Sequence, residues 1–431
     1  MAHRARLRSL AVRLPLVSVS VEATGAPLVV RTRRADLPEN LLDVAPPGAT
    51  VWLRRGDGMV AWGEVARFEV AGPSRFADAA RAWQVLAESA VVRDEVATNG
   101  SGPIAFGSFA FDDDGSSVLV VPEVVVGRRG GVGWVATMSR GGRVPAATVP
   151  VRQPAPTSPG DVRLRPGALS EQEWCGAVED ALDRIAAGDL EKVVLARDVV
   201  AHTDAALDVR WPLAHFAEHY PGCWTFHVDG LLGATPEMLV RLDNGLATSR
   251  VLAGTIRRSG DDEHDLALAG SLARSSKDLE EHELAVRSVA DALSRHGTLN
   301  VPESPFVLHL PNVMHLATDV TGVVHDGRSA LELVADLHPS AAVCGTPTAT
   351  AKVAITELER MDRGRYAGPV GWVDAHGDGE WAIALRCAQV DDETTLRLFA
   401  GCGVVAGSTP ADELAEADAK LTPVRDALMG I

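Results

Sequence analysis

Apolar positions along this chain recur with two different periods. Through the first 145 residues short apolar runs alternate with turn residues and predict short strands: Leu28-Val29-Val30, Thr50-Val51-Trp52-Leu53, Ile104-Ala105-Phe106 and Ser117-Val118-Leu119-Val120-Val121. One helix interrupts them, with Phe76, Ala79, Ala80, Trp83 and Leu86/Ala87 along one stripe. Between Gly141 and Gly167 stand six prolines and no periodicity, which predicts a linker over residues 146–166. Residues 167–431 are more sharply punctuated. Ser170 and Glu173 form a capping box, Trp174, Val178, Ala181, Leu182 and Ile185 make a helical stripe, and Gly188 ends it.

Lys192 then opens a strand in which Lys192, Val194 and Ala196 share a face. A second strand carries Glu237, and a third runs from Ser249 to Thr255. A helix from about Ser276 to His296 has Val286, Val289, Ala290 and Leu293 as its core stripe; Asp278, Glu281, Ala285 and Ser288 make a separate face, acidic and small. The rest reads as strands from Ala367 to Val373, Trp381 to Val390 and Thr395 to Ala400, a glycine turn at Gly401-Cys402-Gly403, and a closing helix.

At 431 residues the chain can bury a large core. Its formal charge of −17 argues against nucleic acid, because phosphate backbones need clustered Lys and Arg. A small anion is not excluded, since charge in a pocket can oppose the net charge. No stretch approaches 18 apolar residues, so no membrane span is expected. The basic opening (His3, Arg4, Arg6, Arg8, Arg13) lacks a signal-peptide apolar run, and the reading is a cytoplasmic protein with a frayed N-terminus. Five scattered cysteines without a CxxC pair fit buried thiols in a reducing compartment.

Chemistry concentrates at a few positions. Lys192 lies in an apolar, β-branched run, where burial favours the neutral amine that can act as a base. Glu237, in Ala234-Thr235-Pro236-Glu237-Met238-Leu239, stands in matching surroundings that favour a protonated carboxyl. Together they suggest an enzyme that moves two protons. On the closing helix Glu413, Glu416 and Lys420 line one face. Alone, that face is a solvated salt-bridge row worth a few tenths of a kcal/mol per pair; with Asp278 and Glu281 it makes a set of carboxylates suited to Mg²⁺. His282 and His315 show no zinc spacing. Gly401-Cys402-Gly403 offers a weak anion-binding signal beside the simpler reading of a tight turn. Arg386, among apolar strand residues, needs a partner, and a carboxylate would take its fork bidentately.

The C-terminal ~265 residues resemble the chorismate-utilising enzymes: isochorismate synthases, salicylate synthases and the large subunits of anthranilate and aminodeoxychorismate synthases. The matching segments are Lys192 to Arg197, Thr235-Pro236-Glu237, Leu252 to Thr255, Ser276-Lys277 through Glu283, His338-Pro339, and Cys344 to Thr348. They continue with Tyr366-Ala367-Gly368, Gly379-Glu380-Trp381 with Arg386, Ala400 to Gly403, Ser408-Thr409-Pro410 and Glu413 to Lys420. The first 145 residues match only loosely. The resemblance implies one α+β body, with large antiparallel sheets in a central core flanked by helices; residues 1–145 contribute to that core and 167–431 form the chorismate-binding catalytic region. It makes Lys192 the general base and Glu237 the general acid. Glu281 and Glu416 would hold Mg²⁺, supported by Asp278 and Glu413. Arg386 and Tyr366 would bind the pyruvyl carboxylate, with His315, Gly254, Thr255, Gly401 and Lys420 lining the pocket.

Three positions bear on the branch. Aminodeoxychorismate synthases carry a nucleophilic lysine just before their Gly-Thr, where this chain has Ala253. Anthranilate-type enzymes usually carry lysine at the position of Thr348, and salicylate synthases tend to place threonine at Ala342. The resemblance is therefore strongest to isochorismate synthase, serving menaquinone, siderophore or another pathway and acting on chorismate as a monomer or weak dimer. The alternatives are a salicylate synthase, which adds pyruvate elimination, and a non-catalytic chorismate-binding homologue.

Overall fold

A computed structural model describes residues 26–141, 143 and 149–431. The basic N-terminal run, residue 142 and residues 144–148 lie outside the described residues. Within them 23 strands form one sheet of 13 and one of 10, with eight α-helices around them. Every strand pair is antiparallel except Leu28–Arg34 with Val91–Asp94. This is the α+β architecture expected.

Both sheets are built from both halves of the chain. In the larger sheet Thr225, Phe226 and His227 pair with Leu53, Trp52 and Val51. In the smaller one Val370 to Asp374 pair with Ser108 to Ile104. One continuous apolar cluster runs from Leu28 to Leu428. The N-terminal strands are too short to close a core alone, and they gain one by completing sheets begun elsewhere.

Local chemistry sets the element ends. The capping box at Ser170 forms: Ser170 Oγ accepts from Glu173 N at 3.3 Å and Ser170 N donates to Glu173 Oε2 at 2.9 Å. The stretch expected to be linker ends in an edge strand, Val162–Pro166, paired with Val199 to Thr203. Its closing proline is tolerated where a strand edge needs no donor.

Three sequence expectations change here. The Glu237 strand is two strands: Leu231–Thr235 belongs to the larger sheet and Met238–Asp243 to the smaller. Pro236 and Glu237 are the crossing between them. Likewise Trp381–Val390 divides into Gly379–Ile383, in the smaller sheet, and Cys387–Val390, in the larger. Arg386 sits on that second crossing, with a left-handed backbone (φ 49). The crossings run side by side: Ile383 N donates to Glu237 O at 3.2 Å and Ala234 N to Arg386 O at 3.1 Å. Finally, Gly401-Cys402-Gly403 is no turn but part of the strand Thr395–Val405, paired with Ala196, Leu195 and Val194.

Candidate active site

The two crossings, the Lys192 strand and the helices Ser276–Leu293 and Pro410–Met429 converge on one cavity. Glu237, Gly254, Thr255, Glu281, His315, Ala342, Tyr366, Arg386, Gly401 and Lys420 all line it. Lys192 stands one layer behind, against Glu281 and Gly403. Asp278, Glu413 and Glu416 are also outside the lining, though Glu416 grips Lys420 at 2.5 Å. The cavity holds about 40 Å³, room for a water or two. A larger open cleft of about 880 Å³ lies at Arg165, Arg360 and Arg397. It has no acid–base pair, and size alone does not make it the site.

Lys192 is fully buried, with Nζ 3.1 Å from Glu281 Oε1 and no well-formed hydrogen bond. A reading from flanking apolar residues did not include this counter-ion. Gly403 makes the pairing possible: a Cβ there would lie 2.1 Å from Glu281 Oε1 and 3.0 Å from Lys192 Cε. The glycine is required by space, not by a turn. Glu281 Oε2 also accepts from Gly254 N at 3.1 Å. Gly254 forms a bulge between Ala253 and Thr255 and adopts φ +75, where a Cβ would come 2.9 Å from Asp278 Cβ. Burial alone would raise the Glu281 carboxyl; the ammonium groups of Lys192 and Lys420 outweigh it and hold it below the usual range.

Glu237 has the opposite character. Burial pushes its carboxyl up to about 7, opposed by Leu252 N at 3.4 Å and by the more distant charges of Lys192, Arg386 and Lys420. At neutral pH a large share of it carries a proton.

Arg386 is buried without a protein carboxylate partner. Its Nη2 donates to His315 Nε2 at 3.0 Å. A guanidinium can only donate, so Nε2 carries the lone pair and the His315 proton is on Nδ1, 3.1 Å from Thr255 Oγ1. Burial and then the Arg386 charge hold His315 well below the usual imidazole range, so it stays neutral. A buried cation facing a neutral ring is costly unless an anion arrives. His282 is neutral too, lowered to about 4 by burial, with Nε2 2.7 Å from Thr318 Oγ1.

The acidic helix faces do meet. Burial and then the charges of Glu281 and Glu416 raise the Asp278 carboxyl, a sign of crowded anions. Burial and Glu416 raise Glu413, although Lys277 Nζ lies 2.7 Å from it. Lys277 was not singled out from sequence; its one signal was its place beside Asp278 in the first turn of an acidic-faced helix. Among the described residues no three Asp, Glu, His or Cys side chains stand together as a ready coordination shell. The oxygen-only donors on two helices fit a hard cation that takes one or two carboxylates and completes its shell with water and substrate oxygens. Among the described residues no helix is long and apolar enough to cross a membrane.

A family profile described as "Chorismate binding enzyme" matches residues 50–137 and 147–429. Isochorismate synthase DhbC of Bacillus subtilis is 42% identical over 262 residues, 58% of this chain and 66% of that enzyme. The salicylate biosynthesis isochorismate synthase of Pseudomonas aeruginosa is 34% identical over 400 residues, covering 86% of this chain and 83% of its own. The structure of MenF, the menaquinone-specific isochorismate synthase of Escherichia coli, superposes with a TM-score of 0.74 at 25% identity, covering 94% of this chain and 95% of that one.

Proposed function

The chain belongs to the chorismate binding enzymes, and from that premise we propose that it is an isochorismate synthase, an isomerase that moves the ring hydroxyl of chorismate from C4 to C2. The observation that carries this reading is a buried Glu237 lining one small cavity, its carboxyl pushed up to about 7, with a buried, poorly hydrogen-bonded Lys192 one layer behind it.

The transposition needs water to add at C2 and hydroxyl to leave C4. Lys192 Nζ, acting as the neutral amine, takes the proton of the attacking water, and Glu237 gives its proton to the departing hydroxyl, which leaves as water. Each transfer is worth about 10²- to 10⁴-fold. Arg386, without a protein carboxylate, takes the pyruvyl carboxylate in its fork beside Tyr366. Gly254, Thr255, His315 and Gly401 wall the ring. Lys420, held by Glu416 and by Gly401 O at 3.0 Å, adds positive charge to the wall that would face a dianion.

Glu281 and Glu416 would hold Mg²⁺, with Asp278 and Glu413 in support; an ion there would supply orientation and charge neutralisation for the ring carboxylate. Glu281 is also the counter-ion of Lys192. A cation bound there would compete with Lys192 for that carboxylate.

Ala253 and Ala342 support that branch. Both line the cavity, and neither offers a nucleophile or a hydroxyl. Water is thus the nucleophile at C2, and isochorismate the main product with little salicylate. The test is incubation with chorismate and Mg²⁺, read at early times by chromatography with lactate dehydrogenase counting pyruvate. Isochorismate should account for the chorismate lost, and added ammonia should give little aminated product. Pyruvate appearing in step with chorismate loss would make the chain a salicylate synthase instead.

A further inference from the structure

The Lys192 strand has a gap along one edge. At its start Glu191 N donates to Thr346 O and Val194 N to Cys344 O, each at 2.8 Å. Farther on, Gly167 N donates to Asp198 O at 3.0 Å, and the edge strand takes up pairing at Val199. Between these stretches a side-chain pair fills the ladder. Arg363 Nη2 donates to Val194 O at 2.9 Å, and Glu359 Oε1 accepts from Ala196 N at 2.7 Å. The two side chains bind each other through Nη2–Oε1 at 2.5 Å and Nε–Oε2 at 2.9 Å.

Both side chains are 1% exposed. A buried ion pair is no more stabilising than a well-packed apolar one, so it calls for another reason. Satisfying Val194 C=O and Ala196 N–H is part of it, but a neutral amide could do that. What the guanidinium adds is reach. Arg363 Nη1 also donates to Val343 O at 2.8 Å, and the group lies 4.3 Å over the Phe111 ring. One rigid fork therefore ties Val194, two residues from Lys192, to Val343, next to Ala342 in the cavity wall.

We propose that Glu359 and Arg363 are positioning residues, locking the Lys192 strand against the Ala342–Val343 wall so that base and ring meet in register. The proposal rests on the reading of Lys192 as the base. An ångström of misplacement costs about 10²-fold in rate while leaving binding contacts in place.

The test is Glu359→Gln and Arg363→Lys, assayed with chorismate and Mg²⁺ at a temperature where circular dichroism shows each variant folded. Glu359→Gln keeps shape and the Ala196 bond, so it carries the test if the lysine variant does not fold. The expected result is a kcat lowered about 10²-fold with KM within about threefold. A folded variant with kcat within about threefold of the parent, or a loss confined to KM, overturns the proposal. Lys192→Ala run in parallel separates the failures. If it is inactive while the pair variants are active, only the positioning role falls; if it is itself active, the base reading falls.

Discussion

Glu237 and Glu281 are both almost fully buried at the same cavity, yet their carboxyls move in opposite directions. Glu237 lies on a sheet crossing with a distant backbone N–H and no close cation, and it is raised to about 7. Glu281 lies on a helix with Lys192 Nζ at 3.1 Å and Gly254 N at 3.1 Å, and it is lowered. Burial is common to both, so the nearest charge decides which keeps a proton. One corner of the cavity stores a proton. The other stores balanced charge, in which Lys192, Lys277 and Lys420 answer the acidic residues of two helices.

The charged corner should fail most completely. If its carboxylates serve a hard cation, excess EDTA removes all turnover and Mg²⁺ restores it, and Glu281→Ala or Glu416→Ala raises the Mg²⁺ requirement steeply. Full activity in EDTA would leave those carboxylates as counter-ions only. Next in size are the proton carriers. Lys192→Ala and Glu237→Gln should each lower kcat by at least about 10²-fold, and the double variant should lose less than their product, since both act on one transition state. Isothermal titration should show chorismate still bound by Glu237→Gln. Turnover within about fivefold of the parent in either variant would undo the acid–base pairing. The two should differ in stability: Lys192→Ala strands Glu281 as a buried anion, at a cost of about 3–5 kcal/mol in urea unfolding.

A pH profile reads the protonated corner directly. The acid must carry its proton, so kcat/KM should fall about tenfold per pH unit above about 7, the value to which burial raises Glu237 in the free protein. In Glu237→Gln that alkaline limb should vanish from the residual activity. A limb that survives the substitution belongs to another group.

Much of the charged corner was legible in the chain. Helical spacing put Asp278 with Glu281 and Glu413 with Glu416 on common faces, and the apolar run marked Lys192 as buried. The crossings were not legible, because hydrophobic pattern reports burial but not which sheet a strand joins. Residues 233–240 and 381–390 read as single strands, although Pro236 and the left-handed Arg386 are where the chain changes sheets. Gly401-Cys402-Gly403 misled for a related reason. Glycine signals a turn when only local conformation is considered, and here it answers a side chain, Glu281, more than 100 residues away in the sequence. Glu359 and Arg363 left only an i, i+4 charge pair, which on most helices means a solvated face.

The smallest effect tests the protonated corner without any catalysis. The Glu237 carboxyl is raised from an ordinary 4.5 to about 7 by folding. Between those values the folded chain holds a proton that the unfolded chain has released. Its contribution to stability is therefore present below about 4.5, is lost as pH rises and is gone above about 7. A glutamine at 237 stays neutral throughout and escapes that loss. Glu237→Gln should accordingly be more stable than the parent by about 3 kcal/mol at pH 8 and by under about 1 kcal/mol at pH 5, measured as urea midpoints with matched slopes. A variant more stable, yet nearly inactive, is what an acid held protonated for function predicts. Equal stability of variant and parent at pH 8 would mean that the carboxylate is accommodated at no cost, and the contrast with Glu281 would collapse.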